Sequence, residues 1–316
     1  MHSHVNTIVI DEIQKLPILL NEVHSLIENS GKRFILTGSS PRKIIRTNQN
    51  LLGGRALRYE LYPLTSAEIP DFNLIRALNF GLLPKHYLDE DADFLLANYI
   101  QSYLEDKIYA EARIRNLSLF SKFLLNAAFS NGETLNYSKI ASECGVSSPT
   151  VEEYFQILVD TMIGKYVYPF QKKPKRQLIS TPKFYFFDLG VVNYLLKRKE
   201  VIAGTEVFGY AFEHFIYMEL NAYAHYSQKN FAITFWRTKS KVEVDFVYGD
   251  HQVAIEVKSA AQVQNQHLKN LKTFLEDYTV DKALVVSNEH FPRLVGDILT
   301  LPWREFLNRL WAGDIT

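Results

Sequence analysis

The chain of 316 residues is long enough for two or three domains. Hydrophobic residues make up 47% of the chain and aromatic residues 13%, which excludes a disordered protein. The formal net charge is zero, so a uniformly basic nucleic-acid binder is excluded and any such binding must come from local patches. The sequence has a single cysteine, no signal-peptide pattern and no apolar run that approaches the roughly 20 residues of a membrane span. These features predict a cytoplasmic protein without a membrane partner.

The first predicted elements are a strand and a helix. Residues 5–13, VNTIVIDEI, form an apolar run that ends in Asp11 and Glu12. This run predicts a buried strand with two carboxylates at its carboxyl end, where open α/β sheets place their ligands. The alternative is a buried strand followed by the first turn of a helix, where acidic side chains are favoured anyway. Pro17 then predicts a helix that ends near Gly31.

Residues 33–38, RFILTG, predict a second strand parallel to the first. Further along, residues 91–130 carry apolar side chains at helical spacing and predict a helical connector. Residues 134–170 predict two helices joined by a short turn at Gly145, followed by a strand, which is the pattern of a winged helix. The second helix exposes Glu152 and its neighbour Glu153, which would repel phosphate, so DNA binding and packing against protein are both left open.

The C-terminal part predicts an α/β domain from Phe184 onward. Its elements are a long helix over 204–226 that contains Glu213, a strand over 231–237, a hairpin over 242–259, a helix over 267–278 and a strand over 282–287. The basic residues between 172 and 176 that precede this domain predict a solvated linker or a contact with a phosphate backbone.

The hairpin carries the charges that suggest chemistry. Its sequence, VEVDFVYGDHQVAIEVKS, alternates with period two on both sides of a Gly-Asp turn. With two loop residues, Glu243 would face Glu256, and Asp245 would lie diagonal to Glu256. Because like charges that face each other are destabilising, this face needs a cation, either Lys258 or a divalent metal such as Mg²⁺ or Mn²⁺. The alternative is a solvated sheet face with ordinary surface charges.

Asp followed by Glu-x-Lys on the next strand resembles the core of PD-(D/E)XK nucleases. The string from FEHFIYMEL through FWRTKSKVEVDFV to AIEVKS resembles DUF4143, the C-terminal domain of one group of bacterial and archaeal AAA+ ATPases. The resemblance implies a metal held by Asp245 and Glu256, with Lys258 beside it to steady negative charge or an attacking water. It also implies Glu213 as a further ligand, for which an ordinary surface glutamate is the alternative. That family usually has a glycine where this chain has Lys241 or its neighbour.

The N-terminal strings DEIQKLP, FILTGSS and GGRALRYELYPLTSAE resemble the same ATPase group. They imply that Asp11 is the Walker B aspartate for magnesium, that Glu12 orients the attacking water, and that Thr37 occupies the sensor-1 position. Arg55 would be an arginine that acts on a neighbouring subunit, or else a surface residue after a simple turn. The Gly-Lys-Ser/Thr phosphate loop of such ATPases does not occur in the chain.

From that absence we expect that the chain is a truncated gene model or a decayed remnant. We expect that it does not bind ATP, although its family uses ATP. We also expect self-association through an exposed sheet edge. The complete prediction is an α/β protein in three parts: an incomplete P-loop AAA+ sheet over 1–70, a helical connector and winged helix over 71–176, and a PD-(D/E)XK-like domain over 177–316. Its implied function is a DNA-associated protein with a metal-dependent nuclease-like site. The alternatives are a non-catalytic module that binds nucleic acid or protein, and a fragment without function.

Overall fold

The computed structural model describes residues 6–38, 56–100, 116–171, 178–229 and 231–316. Arg55 and the basic residues between 172 and 176 lie outside these ranges, so their predicted roles stay predictions. The described chain is a mixed α/β protein, as the sequence predicts. Within the described ranges, none of the helices combines the length and the apolar character that a membrane span requires.

The N-terminal residues form a two-stranded parallel sheet with one helix. Its elements are β1 (Thr7–Ile10), α1 (Leu19–Ser30) and β2 (Arg33–Leu36). The predicted parallel pair and the helix end at Gly31 are confirmed, because Gly31 ends α1 in the left-handed region at φ +61°. The expectation of a buried strand is wrong. Val9 is 62% exposed and Ile35 is 53% exposed, since among the described residues a single helix packs on this sheet and covers only one of its faces.

Helices dominate the next part of the chain. They are α2 (Leu74–Phe80), α3 (Pro84–Leu88), α4 (Ala92–Asn98), α5 (Leu117–Phe129), α6 (Tyr137–Cys144) and α7 (Ser148–Asp160). The predicted helix–turn–helix pair is confirmed: Gly145 ends α6 at φ +71°, and the Ser147 hydroxyl accepts a hydrogen bond from the Thr150 backbone nitrogen. Phe123 and Phe155 lie in the buried core of these helices. The winged helix stays a prediction.

Eight strands of the described residues form one mixed sheet. They are β3 (Gly164–Pro169), β4 (Lys183–Phe186), β5 (Ile233–Arg237), β6 (Glu243–Tyr248), β7 (Val253–Lys258), β8 (Lys282–Ser287), β9 (Arg293–Val295) and β10 (Ile298–Pro302). Their order in the sheet is β4-β3-β5-β6-β7-β8-β10-β9. The strands β5, β6 and β7 form the predicted antiparallel meander, and β8 then pairs parallel with β7. The strand β3 pairs with β4 and β5, so this sheet includes residues on both sides of position 176.

Four more helices complete the fold: α8 (Leu189–Leu195), α9 (Glu206–Tyr226), α10 (Lys269–Asp277) and α11 (Trp303–Ala312). The strand β7 alternates between two cores, because Val253 and Ile255 pack with α9 whereas Ala254 packs with α10. The sheet is therefore covered on both faces, which explains why β6 and β7 are almost entirely buried.

The hairpin register differs from the predicted one. The observed pairs are Tyr248 with Val253, Val247 with Ala254, and Phe246 with Ile255, so the loop has four residues rather than two. Pairing Tyr248 with Val253 places two fully buried side chains opposite each other, whereas the predicted register would have set Tyr248 against the partly exposed His251. A shift of two residues keeps every side chain on its face but changes which charges meet across the strands.

Candidate functional site

Asp245 lies at an irregularity in β6. The pairing of β6 with β5 slips between Val244 and Val247, so that Asp245 and Phe246 together face the single residue Phe235. This β-bulge breaks the alternation of the strand, and Val244 and Val247 both pack in the core beneath α10. The bulge therefore rotates Asp245 away from the position that a regular strand would give it.

On its other side, Asp245 faces the point where β6 and β7 stop pairing. Their regular ladder ends at Phe246 and Ile255. Two residues beyond Ile255, the Val257 backbone nitrogen donates a hydrogen bond to Asp245 Oδ2 over 2.7 Å. The carboxylate thus takes the place of a backbone carbonyl at the splayed end of the hairpin, so Val257 keeps a partner for its buried N–H group.

Glu256 and Lys258 stand two residues apart on β7 and therefore share a face. Lys258 Nζ lies 2.7 Å from Glu256 Oε1 and 3.6 Å from Asp245 Oδ2. Glu256 is 1% exposed, and its Oε2 is a buried oxygen with no hydrogen-bond partner among the described residues. An unpartnered buried carboxylate oxygen costs free energy, and a cation would satisfy it.

The pKa values of both carboxylates are raised above their ordinary values. Burial raises the pKa of Asp245 to about 6, against the opposing effect of the Lys258 charge. Burial, followed by the negative charge of Asp245, raises the pKa of Glu256 well above its ordinary value, although Lys258 again opposes the shift. Lys258, together with a smaller effect of Lys183 on Asp245, does not fully compensate the burial of the two carboxylates, so the pair favours an additional positive charge.

A second lysine, Lys183, belongs to the same group of charges, and the sequence did not predict its place there. It begins β4, is 2% exposed, and places Nζ 2.6 Å from Glu243 Oε1 and 3.2 Å from Glu213 Oε1. Burial alone would lower the pKa of Lys183, but the charges of Glu213 and Glu243 outweigh burial and raise it. The only signal in the sequence is a lysine directly before the apolar run FYFF, a position that usually belongs to a loop.

Glu213 extends from α9 toward these charges, as the resemblance implies. Its Oε1 accepts hydrogen bonds from the Tyr185 hydroxyl over 2.6 Å and from Lys183 over 3.2 Å. Its negative charge also contributes, after burial, to the raised pKa of Asp245. The structure therefore brings Glu213 into the group, but in this arrangement Lys183 and Tyr185 are its direct partners.

The donor set decides which kind of metal this group fits. In the described part of the chain, no three or more His, Cys, Asp or Glu side chains are arranged to enclose a metal ion by themselves. Asp245 and Glu256 supply two carboxylates, and Glu256 supplies the unpartnered buried oxygen. Magnesium is held in proteins by one or two carboxylates together with water and substrate phosphates. The residues therefore fit Mg²⁺ or Mn²⁺ shared with a substrate, and do not fit a metal enclosed by protein ligands.

The N-terminal candidate residues lie at the carboxyl edge of the small parallel sheet. Thr37 follows β2, and its hydroxyl donates a hydrogen bond to Asp11 Oδ1, which follows β1. Glu12 adopts a left-handed conformation at φ +53°, and its carboxylate accepts a hydrogen bond from the Gln14 amide. The structure thus brings Asp11 and Thr37 together, while a role for these residues and for Arg55 toward ATP stays a prediction.

Comparisons with known families divide the chain into three consecutive matches. Residues 1–70 match an AAA domain, residues 72–201 match the domain of unknown function DUF8612, and residues 208–306 match the domain of unknown function DUF4143. The last of these matches contains β5, β6 and β7 with Asp245, Glu256 and Lys258, together with Glu213 of α9, whereas Lys183 lies in the DUF8612 match.

Several relatives span nearly the whole chain. The uncharacterized protein Rv2008c of Mycobacterium tuberculosis is 24% identical over 312 residues, which cover 95% of this chain and 69% of the relative. An uncharacterized protein of Haemophilus influenzae is 20% identical over 90% of this chain and 72% of its own length. The uncharacterized protein MJ1544 of Methanocaldococcus jannaschii is 23% identical over a stretch that covers 93% of this chain and 72% of the relative. No solved structure gives a significant match. The chain therefore combines, in this order, matches to an AAA domain, to DUF8612 and to DUF4143.

Proposed function

We propose that the site at the splayed end of β6 and β7 is a metal-dependent nuclease-like centre for nucleic acid. One observation carries the proposal: two buried carboxylates, Asp245 and Glu256, share Lys258, and one oxygen of Glu256 has no partner among the described residues. An ordinary solvated sheet face would leave its carboxylates exposed and hydrated. Here the carboxylates are 6% and 1% exposed, which is costly unless a cation completes the site.

Asp245 and Glu256 would hold the metal ion, and each would need its negative charge to do so. A bound Mg²⁺ supplies a Lewis acid that polarises a phosphodiester and lowers the pKa of a bound water. The backbone N–H of Val257 keeps the Asp245 carboxylate in place through the 2.7 Å hydrogen bond. Lys258 is 31% exposed at its side chain, so its ammonium group can reach a phosphate that enters from solvent and stabilise the charge that develops there.

Lys183 has a different part in this proposal. It is almost fully buried and is bound to Glu213 and Glu243, so it cannot reach a substrate from its present position. It supplies a fixed positive charge that holds these two carboxylates beside the site and lowers their repulsion. Arg237 adds to this arrangement, because its guanidinium donates a hydrogen bond to the second oxygen of Glu243.

A specific observation favours the alternative, a binding module that does not cleave. Lys258 and Lys183 already neutralise much of the negative charge without any metal, and no group of three potential ligands is present among the described residues. The same face could then bind nucleic acid through its cations. The AAA segment is compatible with both alternatives, since the chain has no Gly-Lys-Ser/Thr motif and we expect no ATP-driven step from it alone.

The test is calorimetry with Mn²⁺ and Mg²⁺, followed by incubation of the same protein with labelled duplex DNA, duplex RNA and single strands. We expect metal binding that disappears in Asp245→Asn and Glu256→Gln. The control is Glu143→Gln, which removes an exposed carboxylate that pairs with Lys139 on α6. Absence of metal binding, with and without nucleic acid, would contradict the metal site. Metal binding without cleavage of any of these substrates would contradict the nuclease and support the binding module.

A further inference from the structure

The turn between β5 and β6 lies directly beside the candidate site. It comprises residues 238–242 and is called the β5–β6 turn below. The strands that it joins end at Arg237 and Glu243, which face each other, and Glu243 is the partner of Lys183. Backbone bonds from Lys241 N to Thr238 O (3.0 Å) and from Thr238 N to Val242 O (2.9 Å) close the turn.

Lys241 occupies a conformation that favours glycine. The φ angle of Lys241 is +67°, in the left-handed region, and the residue lies within the turn at a position where such hairpins prefer glycine. A residue with a Cβ atom is strained there. The side-chain hydrogen bonds inside the turn come from the hydroxyls of Thr238 and Ser240, so the Lys241 side chain does not stabilise the turn. The chain therefore tolerates a conformational cost to place a lysine at this point.

Among the described residues near the site, the lysines of the turn are cations that no carboxylate compensates. Lys183, Arg237 and Lys258 are each bound to carboxylates. Lys239 and Lys241 are exposed, and neither forms an ion pair or a side-chain hydrogen bond within the described ranges. A phosphate that approaches the carboxylates would be repelled by them. Two free ammonium groups on the turn next to Glu243 would offset that repulsion and attract a polyanion.

We propose that the β5–β6 turn binds the phosphate backbone of DNA at the entrance of the site, with Lys241 as the main contact and Lys239 as a second one. This inference rests on the proposed function, because it names the surface through which the substrate of that site is held. The turn offers ammonium groups as point charges, and the hydroxyls of Thr238 and Ser240 bond to each other. These ammonium groups contact phosphates, which DNA and RNA share, so we commit to DNA and let the RNA arm of the test decide between the two.

The decisive variant is Lys241→Gly, because the inference predicts opposite signs for stability and binding. Glycine relieves the left-handed strain, so the melting temperature should rise. Removal of one phosphate contact should weaken the binding of a fluorescein-labelled DNA duplex several-fold at low salt, and the slope of log K against log salt should fall by about 0.9. Lys241→Arg should retain the binding, since it keeps the charge.

The chain contains a matched control in Lys197. This exposed lysine, directly after α8, also has a left-handed conformation, at φ +53°. Lys197→Gly should raise the melting temperature in the same way and leave both DNA affinity and its salt slope unchanged. A comparison of the two variants separates the effect of a lost charge at the turn from the general effect of removing a strained surface lysine.

The outcomes distinguish this inference from the proposed function. Absence of binding to both DNA and RNA by the unchanged protein, with Mg²⁺ and with EDTA, would contradict the proposed function and the inference with it. Binding that Lys241→Gly and Lys197→Gly leave equally intact would overturn the inference alone. A fall in melting temperature of Lys241→Gly together with lost binding would also overturn it, because the turn itself would be damaged. Lys241-dependent binding of an RNA duplex, without binding of the DNA duplex, would overturn the choice of DNA.

Discussion

Asp245 Oδ2 lies 2.7 Å from the backbone nitrogen of Val257, on the neighbouring strand. A carboxylate side chain therefore completes the hydrogen bonding of β7 where β6 has turned away. The same interaction fixes Asp245 beside Glu256, and each of the two directly follows or precedes a residue of the last ladder pair, Phe246 with Ile255. A feature of backbone pairing thus brings together the two carboxylates on which the metal proposal depends.

Divalent metal should stabilise the protein. Mg²⁺ or Mn²⁺ at one hundred times its dissociation constant should raise the free energy of unfolding by about 2.7 kcal/mol. The gain should be absent in Asp245→Asn and in Glu256→Gln, because each variant removes a ligand. Thermal unfolding with and without metal measures this effect, and an equal gain in all three proteins would place the metal elsewhere.

Lys258→Ala should separate binding from cleavage. Lys258 occupies Glu256 Oε1 at 2.7 Å, so its removal leaves the carboxylates more available, and metal affinity should stay the same or increase. Cleavage of nucleic acid should fall by about 10²–10³, the usual effect of losing one group that stabilises a developing negative charge. Single-turnover cleavage and metal titration are measured on the same preparation. Lost metal binding would assign Lys258 to the support of the ligands instead.

Lys183→Met should destabilise the fold. The substitution leaves Glu213 and Glu243 without the buried cation that both contact, and removal of one partner of a buried ion pair typically costs about 3–5 kcal/mol. The double variant Lys183→Met with Glu243→Gln should recover part of this loss, because one uncompensated charge is gone. Denaturant unfolding of the two single variants and the double variant tests the coupling, and purely additive effects would contradict it.

The buried carboxyl of Glu219 predicts a dependence of stability on pH that is independent of the metal site. It lies on α9, accepts hydrogen bonds from Ser66 and Trp311, and burial raises its pKa from 4.5 to about 7. A raised folded-state pKa means that the protonated form favours folding. The stability that protonated Glu219 contributes is complete below pH 4.5 and is lost as the pH rises through about 7.

This shift corresponds to about 3 kcal/mol of stability that disappears across that interval of pH. Glu219→Gln remains neutral at every pH, so it should flatten the curve of unfolding free energy against pH between these limits. Urea unfolding at a series of pH values, with Glu305→Gln on the exposed face of α11 as the control, measures the change. An unchanged slope in Glu219→Gln would show that other groups produce it.

The exposed apolar face of the N-terminal sheet predicts self-association. Val9 and Ile35 are 62% and 53% exposed on adjacent strands, so a second molecule could cover them. Val9→Lys should reduce the association seen in light scattering at increasing protein concentration, with little change in stability. A concentration-independent monomer in the unchanged protein would contradict this prediction.

Much of the architecture could be predicted because the local pattern is strong. The helix–turn–helix pair has a glycine and a capping serine at the expected places, and the meander of β5, β6 and β7 alternates clearly. The burial of the first strand could not be predicted, because burial depends on how many layers cover a sheet. An apolar run of the same composition occurs in a covered strand and in an open one.

The sequence by itself determined the hairpin, the identity of Asp245, Glu256 and Lys258, and the shared face of the last two, because side chains alternate along any strand. The tertiary structure alone decided the register, the bulge at Asp245 and the insertion of Lys183 between two carboxylates. A shift of two residues preserves the alternation, so the pattern cannot distinguish the two registers. Lys183 joins the site through contacts with residues 30 and 60 positions away in the chain, which no local pattern records.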